Sequence, residues 1–302
     1  MRKALIYGIL SSLFFAFTFI LNRSMNLTGG YWMWSASLRY IFTLPMMLLI
    51  LIFTPGNQIQ PVISNIKKQP FVWLLWSTVG FGLFYLPLTL ASVFGESWLV
   101  AASWQITIVA GVLLTPLFGK KIPFKNLMMA LVILAGIFLL QAPNISTQEI
   151  SKNAIALVPI LIAAFSYPLG NRKMMQHCPP ELNTNQRVFG MTLASMPFWL
   201  VVSIIAFVKS GTPDSAQLIQ SLGVALFSGV IATILFFHAT DLVKNNHRQL
   251  AVVEATQCGE VIFTLIGGIL VLNDKMPDIL GFLGIGLIVI GMILNSLLPA
   301  DK

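Results

Sequence analysis

Apolar residues run along this chain in long blocks separated by short polar breaks. An α-helix rises 1.5 Å per residue, so about 20 consecutive apolar residues cross the hydrocarbon core of a bilayer. Ten blocks reach or approach that length: 4–22, 31–53, 71–93, 98–118, 125–142, 154–171, 180–208, 217–241, 249–272 and 278–298. Only the breaks at 54–70 and 142–153 have any length, and both carry turn residues, Pro55-Gly56 in the first and Pro143-Asn144 in the second. The pattern predicts an all-α integral membrane protein of ten transmembrane helices. It leaves no room for a catalytic domain outside the membrane.

Composition agrees. The chain has 302 residues, 57% hydrophobic and only 9% charged, where soluble domains carry about 25% charged residues. Its mean hydropathy is +0.85. The net charge of +8 would suggest nucleic acid in a soluble protein. Here the basic residues sit in loops between apolar blocks, without interleaved aromatics, so no nucleic-acid partner is expected and the charge reads as orientation. With the N-terminus inside, the inner segments hold Arg2, Lys3, Lys67, Lys68, Lys120, Lys121, Lys125, Arg172, Lys173, Lys244, Arg248 and Lys302. The outer segments hold only Arg23, Lys152, Lys209 and Lys275. Both termini are therefore expected in the cytoplasm, with the chain multi-pass in the cell membrane. Asn22-Arg23 follows the first block where a cleaved leader would show small residues, so that block reads as a retained helix. Cys178 falls in a loop and Cys258 in a span, at depths that argue for two free thiols, and neither has metal-ligand spacing around it. Asn26-Leu27-Thr28 and Asn144-Ile145-Ser146 match a glycosylation acceptor, a pattern too short to carry weight.

The chain also repeats itself. Ala16-Phe17-Thr18-Phe19 precedes Asn22-Arg23-Ser24-Met25, and Ala164-Phe165-Ser166-Tyr167 precedes Asn171-Arg172-Lys173-Met174. Arg39 follows Arg23 by 16 residues and Arg187 follows Arg172 by 15. Later the offset settles at 155, which matches Gln105 to Glu260, Lys120 to Lys275 and Gly136 to Gly291. Each copy, 1–148 and 149–302, holds five spans. Five is odd, so the second copy enters the membrane with opposite polarity, an architecture that places a substrate site near the midplane between repeats. These motifs, together with Trp32-x-Trp34-x-x-x-Leu38-Arg39-Tyr40, make the chain resemble the drug/metabolite transporter superfamily along essentially its whole length. The branch it is most similar to is the ten-helix multidrug resistance efflux group. That resemblance implies a membrane transporter with a small-molecule substrate. Four-helix relatives in the superfamily use a carboxylate in their first helix. Here neither the first nor the sixth span contains Asp or Glu, so that role does not transfer.

A charge in the hydrocarbon core costs at least about 2.5–3.5 kcal/mol, which makes buried ionisable residues functional candidates. Arg39, Arg187, Glu254 and Glu260 are the four here. A carboxyl at the depth of Glu260 is held between the penalty of burial and the pull of a nearby arginine, the balance a proton-exchanging group needs. A permanently paired structural charge is the other reading. Depth along the helices suggests that Arg39 faces Glu260 and Arg187 faces Glu254. Glu254, Gln257, Glu260, Thr264 and Gly267 step by three or four residues and form a stripe on one helix face, with Gln105 opposite. His238 reads first as an interfacial side chain and second as a proton relay. Of the aromatics, Trp104 beside Gln105 and Tyr167 beside Pro168 are the candidates to line a pocket for flat or cationic substrates. Glycines on the last two spans permit close packing, and Pro45, Pro87, Pro116, Pro168 and Pro197 predict kinks.

No Walker-type loop, HExxH or GxSxG occurs, so neither ATP drive nor a hydrolase site is expected, and no cofactor. The reading is a secondary transporter exporting small organic cations, drugs or metabolites, with proton antiport through Glu260 or uncoupled metabolite exchange. An enzyme or a non-transporting subunit is the lesser alternative. The lipid bilayer and possible protons are its other partners, and the internal duplication suits a monomer or weak homodimer.

Overall fold

The computed structural model describes residues 1–54, 56, 58–119, 121–122, 124–142, 150–243 and 247–297, with the side chains of 141, 150–156, 247–248, 250–251 and 296 outside that description. The expectations at Pro55, Lys120, Pro143, Asn144, Ser146, Lys244 and Lys302 fall outside the described residues, as do the Lys152 and Arg248 side chains. Among the described residues the fold is entirely helical.

The helices are α1 (Arg2–Leu27), α2 (Trp32–Phe53), α3 (Ile59–Lys68), α4 (Pro70–Phe94), α5 (Ser97–Leu113) and α6 (Phe124–Gln141). They continue as α7 (Ile150–His177), α8 (Thr184–Ser210), α9 (Ser215–Asp241), α10 (Val252–Leu272) and α11 (Ile279–Leu297). Among the described residues six, α1, α2, α4, α8, α9 and α10, are long and apolar enough to cross a membrane, and α5, α6 and α11 contain shorter apolar helices. Their outward faces are apolar, as a lipid-facing surface must be: Phe71 is 83% exposed and Phe53 79%.

Three features depart from the sequence expectation. The break at 54–70 contains α3, whose Val62 is buried while Lys67 and Lys68 close its last turn; an amphipathic helix of this kind lies along an interface rather than through it. The expected span 98–118 ends as an α-helix at Leu113, and Pro116 sits in a tight 3-10 turn, Thr115–Phe118, beyond it. α4 and α9 each carry a wider π turn, Thr78–Gly82 and Ala225–Ala232. The other expected kink prolines, Pro45, Pro87, Pro168 and Pro197, do lie inside helices.

α1 packs against α9 and α10, and α7 packs against α4 and α5. α2 lies on α8, and α6 on α11. Glycine makes the last contact possible: a Cβ on Gly136 would stand 2.7 Å from the Gly284 carbonyl oxygen, and one on Gly284 would stand 2.6 Å from that of Gly136. Backbones at that separation exclude any side chain.

Candidate functional site

Two broken helices meet at the centre of the bundle. α5 breaks after Trp104, and Gln105 turns the chain before a new helical run starts at Ile106. α10 breaks at the 3-10 turn Thr256–Cys258 and restarts as Gly259–Leu272, which places Glu260 in a first helical turn. A carboxylate is favoured there because the amide ends of the helix point towards it. The N-terminal run of α5 packs against this restarted run of α10. Gln105 and the Arg39 guanidinium both lie within electrostatic reach of the Glu260 carboxyl, while Gln105 Nε2 donates to the Ala101 carbonyl at 3.1 Å. Below Glu260, the buried Thr264 donates from Oγ1 to the Glu260 carbonyl at 2.7 Å.

An aromatic shelf adjoins this pair. Phe84 stands with its ring centroid 5.0 Å from that of Trp104 and 4.8 Å from that of Tyr167, and Trp104 and Tyr167 meet edge to face at 5.7 Å. Trp104 is buried, while Tyr167 is 40% exposed. Tyr167 also lies within electrostatic reach of Glu260, Arg39 and Arg187. Tyr167 is thus both accessible and within reach of three intramembrane charges. Glu260 is half-buried in the same way.

Arg39 is buried, but not by an ion pair. Its guanidinium carbon lies 4.0 Å from the centre of the Tyr85 ring, and Nη2 donates to Ser228 Oγ at 3.2 Å. Ser228 Oγ in turn hydrogen-bonds Thr18 Oγ1. The ring face substitutes for a counter-ion. Asn22 fixes that ring by donating from Nδ2 to Tyr85 Oη at 2.9 Å. Neither expected ion pair forms within 4.0 Å: among the described residues the sole such contact is Arg23 to Asp274, at 3.8 Å. Arg187 is half-buried and Glu254 exposed, on separate elements. Gln257 turns aside to donate to the Gly8 carbonyl at 3.4 Å. His238 is exposed, with its ring 6.1 Å from that of Tyr7. The structure thus gathers Glu260, Gln105, Arg39, Trp104 and Tyr167, keeps Arg187 in reach of Tyr167, and leaves Glu254, Gln257 and His238 outside the cluster.

Sequence reasoning singles out neither Ser228 nor Asp274, and counts Tyr85 only among the many aromatics that could line a pocket. Asp274 Oδ2 accepts from the Ser97 backbone N at 2.9 Å and from Ser97 Oγ at 2.6 Å, and Trp98 Nε1 donates to the Lys275 carbonyl at 2.9 Å. These contacts close one end of the bundle. The two thiols are free, as expected. Burial pushes Cys178 up to about 11, against an opposing pull from Arg187.

Residues 2–301 match the family model EmrE, described as "Putative multidrug resistance efflux transporter". The chain is 48% identical to the uncharacterized protein YjlA of Bacillus subtilis (strain 168), over 97% of this chain and 94% of that one. It is 43% identical to an uncharacterized 42.1 kDa protein from the intracellular alkaline protease 3' region of Shouchella clausii, over 85% of this chain and 70% of that one. A crystal structure at 13% identity superposes with a TM-score of 0.64 over 97% of this chain and 96% of its own, a likeness of fold alone.

Proposed function

The chain belongs to that efflux transporter family, and from this premise we propose that it is a secondary transporter exporting small organic cations or metabolites in exchange for protons at Glu260. A multi-pass membrane protein of a transporter family needs a site that water can reach from within the bundle. The observation that carries the reading is the Glu260 carboxyl, half-buried and within electrostatic reach of Gln105, Arg39 and Tyr167, with the Tyr167 ring packed among those of Phe84 and Trp104. A carboxyl takes either a proton or an organic cation, and the rings accept the apolar body of the cation. Arg39 limits how strongly the site holds positive charge, so a proton arriving from outside displaces the cargo.

The two five-helix repeats, 1–148 and 149–302, are part of the same proposal. The packing supports it: exchanging α1 with α7 exchanges its partners α9 and α10 for α4 and α5, while α2–α8 and α6–α11 map onto themselves. The π turns of α4 and α9 also occupy matching places. The inner surplus of lysine and arginine supports cytoplasmic termini in the cell membrane.

The test is collapse of a pH gradient in inside-out vesicles on addition of lipophilic cations, amines or amino acids. Wild type is expected to leak protons with a substrate present, and Glu260→Gln to abolish the leak while keeping the fold. A leak that survives in Glu260→Gln removes this residue from the mechanism. Counterflow of labelled substrate with no proton movement would instead establish uncoupled exchange.

A further inference from the structure

The two ends of the bundle are not in equivalent states. On the repeat reading just proposed, Arg39 corresponds to Arg187 and Thr18 to Ser166, both at an offset of 148. Gly229 and Gly80, which face Thr43 and Met191 alike, correspond at 149, so Ser77 is the nearest buried hydroxyl to the position equivalent to Ser228, two residues from it. The contact of Arg39 with Ser228 and Thr18 is made, and it ties α2, α9 and α1 together beside the Asp274 contacts. The corresponding contact is not made. Among the described residues the Arg187 side chain has no hydrogen bond, ion pair or ring contact, and it is half-buried. Ser77 is fully buried and its Oγ has no partner. Ser166, half-buried, has no side-chain bond among the described residues either.

Ser77 and Arg187 lie on adjoining turns of two packed helices. Met191, one turn after Arg187, reaches the position of Gly80, where a Cβ would stand 3.2 Å from its Cε. Ser77 lies three residues before Gly80 and borders the π turn of α4, as Ser228 lies within that of α9. A buried hydroxyl left without a partner is costly in a protein with one state. It is accounted for when a second state supplies the partner.

We propose that Ser77 is the hydroxyl on which Arg187 closes in the opposite-facing state, so that the Arg187–Ser77 and Arg39–Ser228 contacts alternate during transport. The structure is then the state sealed at the Arg39 end and open at the Arg187 end. In that state Tyr167 and Glu260 are accessible from the Arg187 side. Breaking one arginine contact then accompanies making the other, so the two ends do not open together. Ser77 and Arg187 are positioning residues: neither has to touch the substrate.

The experiment places spin labels at Glu181→Cys and Leu242→Cys, on the loops that follow α7 and α9, in a protein carrying Cys178→Ser and Cys258→Ser. Pulsed dipolar measurements in nanodiscs, at two pH values and with tetraphenylphosphonium, are expected to show a long and a short distance. Ser77→Ala should deplete the short-distance population about tenfold relative to the long, the scale of a hydrogen bond to a charged group. Ser228→Ala should shift the ratio the other way, and the hydroxyl-bearing Ser77→Thr should keep the wild-type ratio. General loss of stability would not move the two serine variants in opposite directions. Two populations that Ser77→Ala leaves unmoved, or moves as Ser228→Ala does, overturn the latch alone. A wild type that holds one distance under every condition overturns the latch and the transporter reading together.

Discussion

Asp274 sits in a short polar break between Asn273 and Lys275, yet its side chain is 2% exposed and accepts from Ser97 while facing Arg23. Asp274→Ala would leave the buried Ser97 amide and hydroxyl without their acceptor, at about 1–3 kcal/mol, and would remove the carboxylate facing Arg23, whose Nη1 keeps the Ser92 and Val93 carbonyls. Thermal unfolding in detergent should show the loss, and Asp274→Asn, which keeps acceptor oxygen for Ser97, should lose less. Cys178 offers a pH test outside the membrane. Its thiol is held up at about 11, so alkylation should stay slow at neutral pH and still be accelerating well above the range of an ordinary thiol. Arg187→Gln removes the opposing positive charge and should slow the reaction further, in a rate-against-pH series with a water-soluble alkylating agent. At this scale the sequence is an uneven guide. Glu260, Arg39 and Gln105 were legible because charge or amide inside an apolar block is costly enough to demand a reason. Ser228 was not, because a serine is ordinary inside a membrane helix, and Tyr85 was one aromatic among many with nothing to tie it to Arg39. Arg39 keeps Glu260 within electrostatic reach, but a ring and a hydroxyl, which no charge flags, make its direct contacts.

The helices themselves follow from length and hydropathy, and the departures come where tertiary contact overrides them. Nothing in Trp104-Gln105-Ile106 or Thr256-Gln257-Cys258 breaks a helix by propensity, since neither stretch holds Pro or Gly. The α10 break lies against α1, where a Cβ on Gly8 would meet the Thr256 side chain and one on Gly259 the Ser12 hydroxyl. α3 was missed because ten residues with two lysines read as a loop when only a spanning length is sought. By contrast, the packing role of the glycines was legible, and α6 against α11 gives it an edge. Gly284→Val would push a branched side chain into the Gly136 backbone. Overpacking of this kind costs about 1–3 kcal/mol or more, and here neither backbone can yield without separating the helices. Size-exclusion profiles after graded heating should show Gly284→Val unfolding first and Gly286→Val near wild type, because a Cβ on Gly286 meets nothing within 4 Å.

Across the whole molecule, the exchange of packing partners between α1 and α7 makes one prediction about orientation. If the repeats enter the membrane with opposite polarity, reporters fused before Met1 and after Lys302 should both be active on the cytoplasmic side, and one inserted at Gly211 should be active outside. A reporter pair on opposite sides would remove an odd number of crossings from the fold. On the repeat proposal, the motifs Asn22-Arg23 and Asn171-Arg172 mark the relation between the copies, but not the difference in state proposed for them. That difference lies in side-chain contacts that an alignment of the copies treats as equal.

The π turns of α4 and α9 carry a mechanical consequence. Each winds one surplus residue into a helix whose ends are already seated, so each holds slack. Were that residue drawn into regular winding, the segment beyond it would advance about 1.5 Å and swivel about 100°. Neither end would have to unravel. A bundle with one such reserve in each of two matching helices can lengthen on one side as it shortens on the other, like a strap let out at one buckle and drawn in at the opposite one.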